Sequence, residues 1–125
     1  AIAERYLAAF ADLPITLPTQ APEGHTHSWH LFVVRLTPEA GIERDDFVAA
    51  MSAARVGTSV HFIPLHQHSY WSDFVANPAV TLPVATREGP LAVSLPIFSK
   101  MTDDEVDRVV AAVTTALRQT AFRAS

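Results

Sequence analysis

The chain has 125 residues, of which 49% are hydrophobic and 18% charged, and its net charge is −4. This length suits a single domain with a workable core. Nucleic-acid binding needs clustered lysine and arginine, whereas the nine basic residues are scattered, so no nucleic-acid partner is expected. The absence of cysteine excludes disulfides, thiolate zinc sites and a cysteine nucleophile. No apolar run approaches the roughly 20 residues of a membrane span, and the start lacks a signal-peptide pattern, so we expect a cytoplasmic domain.

The first half predicts a helix, a connector, a strand and a second helix. Residues 2–11 carry apolar side chains at helical spacing, and residues 12–27 are rich in proline and predict an extended connector. The run HLFVVRL (30–36) predicts a strand covered on both faces. Residues 44–55 predict a helix with Phe47 and Met51 on its apolar side, and Gly57 is expected to end it.

The second half predicts short elements and then a long helix. TSVHFI (58–63) alternates like a strand that Pro64 ends, YWSDFVA (70–76) predicts a short helix, and AVSL (92–95) predicts another strand. TDDE (102–105) has the form of a capping box before an apolar helical stripe. We therefore predict an α+β domain in which two to three strands are packed by helices on one side.

Six histidines raise the question of a metal site. HTHSWH (25–30) and HQH (66–68) have metal-ligand spacing, but no aspartate or glutamate lies among them to complete a catalytic zinc set. A standalone histidine-bearing module that binds a metal or a small ligand stays as the alternative function. His61 is expected to be hydrogen-bonded on a strand, while His66 and His68 lie in a predicted loop, where ligand contact is common. The rings of Tyr70 and Trp71 are expected to anchor that loop to the core.

Other reactive residues have ordinary structural interpretations. Arg35, at the end of a strand, is expected to pair with a carboxylate. No serine lies in a GxSxG pattern, and the four glycines form no phosphate loop. Lys100 is the only lysine. It lies in a predicted exposed turn, whereas a lysine that bonds a cofactor must be held in a pocket that lowers its pKa.

Several segments in order resemble the C-terminal region of the DegT/DnrJ/EryC1/StrS family of pyridoxal-phosphate (PLP) sugar aminotransferases. They are HSWHLFVVRL (27–36), VGTSVHFIPLH (56–66) and VSLPIFSKMT (93–102). The second matches the family pattern H-Y-x-P-x-H, with Phe62 in place of the usual tyrosine. Glu43 stands where a capping serine often precedes the helix, which should weaken that helix start.

This resemblance implies that the chain forms only part of an active site, and that the large domain of the family supplies the rest. It implies the small C-terminal domain of a fold-type I PLP transferase, with residues 1–13 as the linking helix and 14–125 as the small domain. The lysine and aspartate that hold PLP belong to the family's large domain, so no catalytic or cofactor-binding residue is expected here. The motif implies that His61, Phe62, Pro64 and His66 shape the pocket for a nucleotide-sugar substrate, which accepts an amino group from an amino-acid donor.

Two further expectations follow for the isolated chain. It should be inactive without the large domain, and an apolar face that normally meets that domain should be exposed. The apolar side of residues 1–10 is the candidate for this face, and it predicts a homodimer or other self-association. A degenerate domain that is retained only for dimer contacts stays as a further alternative.

Overall fold

The computed structural model describes the backbone of residues 1–121 and the side chains of residues 1–118. Its helices and strands alternate irregularly along the chain. The helices are α1 (Ile2–Ala9), α2 (Arg44–Ala53), α3 (Pro78–Thr81), α4 (Pro83–Glu88) and α5 (Asp103–Ala121). The strands are β1 (Ile15–Thr16), β2 (Phe32–Leu36), β3 (Ser59–Val60) and β4 (Ala92–Leu95).

The strands form one antiparallel sheet in the order β1-β2-β4-β3. The α+β class is confirmed, with one strand more than the two or three that the sequence predicts. The additional strand, β1, lies inside the predicted connector, where Ile15 pairs with Leu36 and is buried. Strand β2 alternates, because Phe32, Val34 and Leu36 are buried while the residues between them are half-buried. The prediction that both of its faces are covered is therefore only partly met.

Helices α1, α2 and α5 cover one face of this sheet. Alternate side chains of β2 and β4 on that face join the helices in one hydrophobic core. The largest fully buried side chains of this core are Tyr6, Phe10, Phe32, Phe47, Met51 and Leu117. The opposite face carries Ser59, Ser94 and Arg35, as the strand register requires, and it positions the candidate site.

The expectation that the apolar side of the first helix is exposed is wrong. Tyr6 and Phe10 are fully buried, and the Tyr6 ring contacts Phe32 edge-on at a centroid distance of 5.1 Å. The Tyr6 hydroxyl donates a hydrogen bond to the Pro96 carbonyl at 2.9 Å. Arg5 pairs with Asp103 of α5 at 2.6 Å. Helix α1 thus belongs to the core of this domain.

The sequence predicts one feature at each end of α2, a weak start at Glu43 and a stop at Gly57. Glu43 caps the helix without a side-chain hydrogen bond, as its chemistry predicts. The helix ends before Gly57, because Arg55 takes the left-handed conformation (φ 59°). The Val56 N–H then donates to the Met51 carbonyl at 2.9 Å, which is the 6→1 bond of a Schellman motif. Gly57 therefore does not end the helix.

The start of α5 confirms the predicted capping box. The Glu105 carboxylate accepts the Thr102 N–H at 2.8 Å, and the Thr102 hydroxyl accepts the Glu105 N–H at 3.3 Å. The backbone hydrogen bond from Thr102 lowers the pKa of the Glu105 carboxyl. The predicted stripe is buried at four positions and half-buried at Val110; the buried positions are Val106, Val109, Val113 and Leu117.

Within residues 1–121, no helix has the length and apolar character needed to cross a bilayer. The last four residues of the expected domain 14–125 lie outside the described part of the chain.

Candidate functional site

The short strand β3 places His61 beside the polar face of the sheet. Ser59 pairs with Ser94, and Val60 pairs with Val93, so His61 follows on the side opposite the core. The His61 Nε2 atom lies 3.0 Å from the Oγ atom of the buried Ser94. This agrees with the expected hydrogen-bonded strand histidine, although the strand ends at Val60 and not at residue 63.

Phe62 and Pro64 follow with opposite exposure. Phe62 is 100% exposed, whereas Pro64 is half-buried and packs on Gly89. A Cβ atom at Gly89 would lie 2.6 Å from the Pro64 Cγ atom, so only glycine allows this contact without a shift. Pro64 therefore holds the segment 60–64 against the turn after α4. The Phe62 side chain packs on no other residue in the described part of the chain.

His66 points into the protein. Pro64 starts a 3₁₀ turn over Leu65–Gln67, and His66 within it is only 5% exposed. Its Nε2 atom lies 3.0 Å from the Thr86 hydroxyl, which also donates to the Leu82 carbonyl at 2.8 Å. The same hydroxyl lies 3.2 Å from the Pro78 carbonyl oxygen. When its single proton is donated to one of these carbonyls, Thr86 accepts the hydrogen bond from His66 Nε2. His66 thus fastens the loop to α4.

His68 lies in the exposed part of the same loop. Its Nε2 atom is 3.1 Å from the Ile63 carbonyl oxygen, which can only accept a hydrogen bond. His61 and His68 line one depression of about 460 Å³. Its remaining lining residues are Leu31, Ser59, Val60, Phe62, Ile63 and Ser94. The structure therefore brings together His61 and His68, and it separates both from His66.

Tyr70 and Trp71 do not anchor the loop to the core, contrary to expectation. They are 70% and 41% exposed, and both pack on Phe74, which is 68% exposed. The ring centroids are 5.1 Å to 5.8 Å apart. The predicted short helix is a 3₁₀ turn at Ser72–Phe74, and it lets the three rings contact one another.

The aromatic cluster belongs to a larger apolar surface, which we call the 60–84 surface. Of the twelve large hydrophobic residues that are exposed among residues 1–118, ten lie in this segment. They are Val60, Phe62, Ile63, Leu65, Tyr70, Trp71, Phe74, Val80, Leu82 and Val84. Between Arg55 and Arg87 the only aspartate, glutamate, lysine or arginine is Asp73, so this surface carries almost no charge.

Arg35 forms the expected ion pair with a carboxylate. Its Nη1 atom lies 3.2 Å from Glu88 Oε2, which connects β2 with α4. The hydrogen bond from Arg87 and the charge of Arg35 lower the pKa of the Glu88 carboxyl. Lys100 is exposed in the turn before α5, as expected. It does not line the depression that His61 and His68 share, and an exposed turn does not fit a lysine that bonds PLP.

The remaining histidines supply no metal site in the described part of the chain. His27 Nδ1 accepts the Trp29 N–H at 2.9 Å, and the two rings stack at 3.9 Å. Among the described residues, no group of three or more histidine, aspartate or glutamate side chains is arranged to hold a metal ion. The metal-binding alternative therefore has no support from the geometry, because a protein site for zinc uses at least three such ligands.

Sequence reasoning missed Ser94 and Thr86, whose hydroxyl groups lie within hydrogen-bond distance of His61 and His66. Ser94 lies 33 residues after His61, and Thr86 lies 20 residues after His66. Neither stands in a pattern that indicates chemistry by itself. The only available signal was that Ser94 lies inside the predicted strand AVSL (92–95), while His61 lies inside the predicted strand TSVHFI (58–63).

The fold and the order of segments define an aminotransferase domain. Residues 1–114 match the model of the DegT/DnrJ/EryC1/StrS aminotransferase family, and the chain belongs to this family.

Solved structures agree with this assignment. The chain is similar to DesV from S. venezuelae, solved with a ketimine intermediate, with 31% identity and a TM-score of 0.75, over 92% of this chain and 30% of that one. It is similar to the aminotransferase TlmJ from Streptoalloteichus hindustanus, with 27% identity and a TM-score of 0.78, over 94% and 30%. The fold also matches the putative sugar aminotransferase Spr1654 from Streptococcus pneumoniae in its apo form, with 21% identity and a TM-score of 0.81, over 98% and 31%. The chain thus spans about 30% of these chains.

Proposed function

We propose that the chain is the small C-terminal domain of a PLP-dependent aminotransferase. This enzyme would transfer an amino group from an amino-acid donor to a keto-sugar nucleotide, and the chain alone would be inactive. Family membership supports the proposal, as does similarity to structures described as sugar aminotransferases. The observation that carries it is the apolar 60–84 surface, with Asp73 as the one charged residue in its segment, beside the His61–Ser94 pair.

The exposed apolar side chains of the 60–84 surface suggest that a partner covers this surface. A single domain rarely exposes so many large hydrophobic side chains in one segment. The relatives are about three times as long as this chain, and the rest of such an enzyme offers a covering partner. In this arrangement the polar face of the sheet, with His61 at its edge, would face the active site.

The residues that the family motif indicates would then have two different tasks. His61 and Phe62 are exposed and can contact a nucleotide sugar directly, Phe62 through its apolar ring alone because it lacks the tyrosine hydroxyl. Pro64 and His66 would hold the loop in place, through contact with Gly89 and the hydrogen bond with Thr86. This assigns substrate contact to the first pair and support to the second.

PLP would supply the electron sink for amino transfer in the whole enzyme. The described residues do not fit its attachment, because Lys100 is exposed and lies beside Asp103 and Asp104. We infer that the attachment lysine lies in the other part of the enzyme. The proposal also includes a homodimer in the cytoplasm, which sedimentation and cell fractionation of the whole enzyme would test.

A chimeric enzyme tests the proposed function. This chain would replace the matching 30% of DesV, and amino transfer from glutamate to a panel of keto-sugar nucleotides would be measured. We expect transfer by the chimera, and none by either part alone. A folded chimera that binds PLP and transfers no amino group to any member of the panel would contradict the proposal.

A second assay tests the isolated chain. The chain would be incubated with PLP and borohydride, and its peptides would be examined for a pyridoxyl group. We expect only weak, non-saturable modification of Lys100. A tight, saturable adduct would show that this chain holds its own active site.

A further inference from the structure

A second depression lies at the end of the β3–β4 pair that is opposite to the candidate site. Strands β3 and β4 are antiparallel, so the residues that precede β3 lie beside the residues that follow β4, while His61 leaves β3 at its other end. The depression has a volume of about 120 Å³, and its walls come from the end of α2, the turn after β4 and the first two turns of α5. It shares no lining residue with the depression at His61 and His68.

Two arginines without a carboxylate partner line this second depression. Among residues 1–118, the guanidinium groups of Arg55 and Arg108 form no ion pair and no hydrogen bond. Four other arginines each pair with a carboxylate, namely Arg5, Arg35, Arg44 and Arg87. The planar guanidinium group matches the geometry of carboxylates and phosphates. Arg55 and Arg108 are therefore available to an anion from outside the chain.

Arg55 also adopts a backbone conformation that its side chain disfavours. Its φ is 59°, in the left-handed region that favours glycine. The hydrogen bond from the Val56 N–H to the Met51 carbonyl closes this turn, which places Arg55 on the wall of the depression. Residues held in sparsely populated backbone conformations cluster at sites that bind ligands. The conformation of Arg55 thus agrees with a use of its side chain in binding.

Glu105 limits the charge of the ligand. Its Oε2 atom accepts the Thr102 N–H at 2.8 Å and the Thr102 hydroxyl at 3.1 Å, so this carboxylate is held by the helix start and closes no ion pair with either arginine. The backbone hydrogen bond from Thr102 lowers the pKa of the Glu105 carboxyl, which keeps it ionised at neutral pH. The two guanidinium charges and the one carboxylate charge leave the lining with a net charge of +1. This charge balances a monoanion, whereas a phosphate dianion would leave an excess of negative charge.

Apart from Gly57, the rest of the lining is apolar. It consists of Val56, Pro96, Phe98, Met101 and Val109. The Tyr6 hydroxyl donates to the Pro96 carbonyl at 2.9 Å and lies 4.0 Å from the Met101 sulfur, so the core holds this wall in place. Phe98 is 52% exposed, and among residues 1–118 only Leu31 and Phe98 are exposed large hydrophobic residues outside the 60–84 surface. A ligand with an apolar group would cover part of the Phe98 ring, which is favourable.

We propose that Arg55 and Arg108 bind the carboxylate of a small organic acid, whose short apolar group packs on Phe98 and Met101. A cavity of about 150 Å³ can hold benzene. A volume of about 120 Å³ therefore accepts an acid of about four to six non-hydrogen atoms. The bound acid would connect the end of α2 with the start of α5. This site does not depend on the proposed aminotransferase function.

The test titrates the ¹⁵N-labelled chain with sodium butyrate, a monoanion with a short apolar group. The Nε–Hε resonances of arginine in ¹H–¹⁵N spectra report each guanidinium separately. We expect saturable shifts at Arg55 and Arg108, and none at Arg118, which is exposed and lies outside the depression. Butyramide, which keeps the shape but lacks the charge, should bind at least about tenfold more weakly. Acetate, which lacks two methylene groups, should bind about three- to tenfold more weakly.

Single substitutions separate the binding of butyrate from the stability of the fold. Arg55→Gln and Arg108→Gln should each weaken butyrate about tenfold, because each removes hydrogen bonds to a charged group. Arg55→Gly should weaken it to the same extent in a chain that stays folded, since glycine suits the left-handed turn. Arg118→Gln changes the net charge equally and is the matched control, which should leave binding unchanged.

Four results would overturn the inference. The first is the absence of a saturable shift at either arginine. The second is equal affinity for butyramide, because the arginines would then not recognise the charge. The third is tighter binding of phosphate or sulfate than of butyrate, which would indicate a site for dianions. The fourth is an equal loss of affinity in Arg118→Gln, which would reduce the effect to the overall charge of the chain. Each of these results is independent of amino transfer by the DesV chimera.

Discussion

Replacement of Tyr6 tests whether α1 belongs to the folded core. The side chain is fully buried, its ring contacts Phe10 and Phe32, and its hydroxyl donates to Pro96. Tyr6→Phe keeps the ring and should lower the free energy of unfolding by about 0.5–1.5 kcal/mol, the net value of one hydrogen bond. Tyr6→Ala removes the ring and should cost about 3–5 kcal/mol, a large part of the roughly 5–15 kcal/mol that stabilises a domain.

The same residue predicts a dependence on alkaline pH. Burial raises the pKa of Tyr6 from its usual 10 to about 12. The unfolded chain loses this proton near pH 10 and the folded chain only near pH 12, so the contribution is complete below pH 10 and is lost as pH rises toward 12. At about 1.4 kcal/mol per pKa unit, the loss should amount to about 2–3 kcal/mol, and it should be absent in Tyr6→Phe.

Urea unfolding followed by tryptophan fluorescence measures these differences. Trp29 packs against the core, so its emission should report the transition. Ala9→Ser, on the exposed side of the same helix, is the control and should change stability by no more than about 0.5 kcal/mol. A cost below about 1 kcal/mol for Tyr6→Ala would refute the packing of α1 in this core.

Three further predictions concern a helix start, a helix end and the apolar surface. Glu43→Ser should raise the free energy of unfolding by about 0.5–1 kcal/mol, because α2 lacks a side-chain cap; urea unfolding that shows no gain over Glu43→Ala would contradict this. Arg55→Gly should raise the free energy of unfolding by about 0.5–1 kcal/mol, because the Arg55 backbone is in the left-handed conformation that favours glycine. A lower free energy of unfolding in the same assay would argue against that conformation. Trp71→Ser should reduce self-association in sedimentation, with an unchanged urea midpoint, whereas unchanged association would place the contact elsewhere.

Local patterns predicted the elements whose stabilising contacts lie close in sequence. The capping box at Thr102 and Glu105 depends on residues three apart, so it could be identified without the fold. Strand β1 could not, because its two residues pair with β2 some 20 residues later. The end of α2 at Arg55 was missed for a different reason: a Schellman motif favours glycine, but it tolerates another residue when the buried Val56 side chain holds the turn.

The sequence could indicate which segment forms the candidate site, but not which of its residues contact one another. The family motif indicated His61, Phe62, Pro64 and His66. The structure shows His66 turned toward Thr86, and His68 beside His61 in one depression. Two residues of sequence separation do not put His66 and His68 on one side, since the 3₁₀ turn at Leu65–Gln67 rotates the chain between them.

The sequence alone determined the family, the α+β class, the capped apolar stripe of α5 and the exposed position of Lys100. The family follows from the order of segments that resemble its members, and the other features follow from residue types and short-range periodicity. All of these can be read from the sequence without knowledge of the fold. Only the tertiary structure decided that α1 packs inside the domain, that the aromatic rings at 70–74 stay outside, and that Ser94 fixes His61. Each of these depends on contacts between residues far apart in the chain, and the free energy of such contacts is realised only after the sheet and helices have come together.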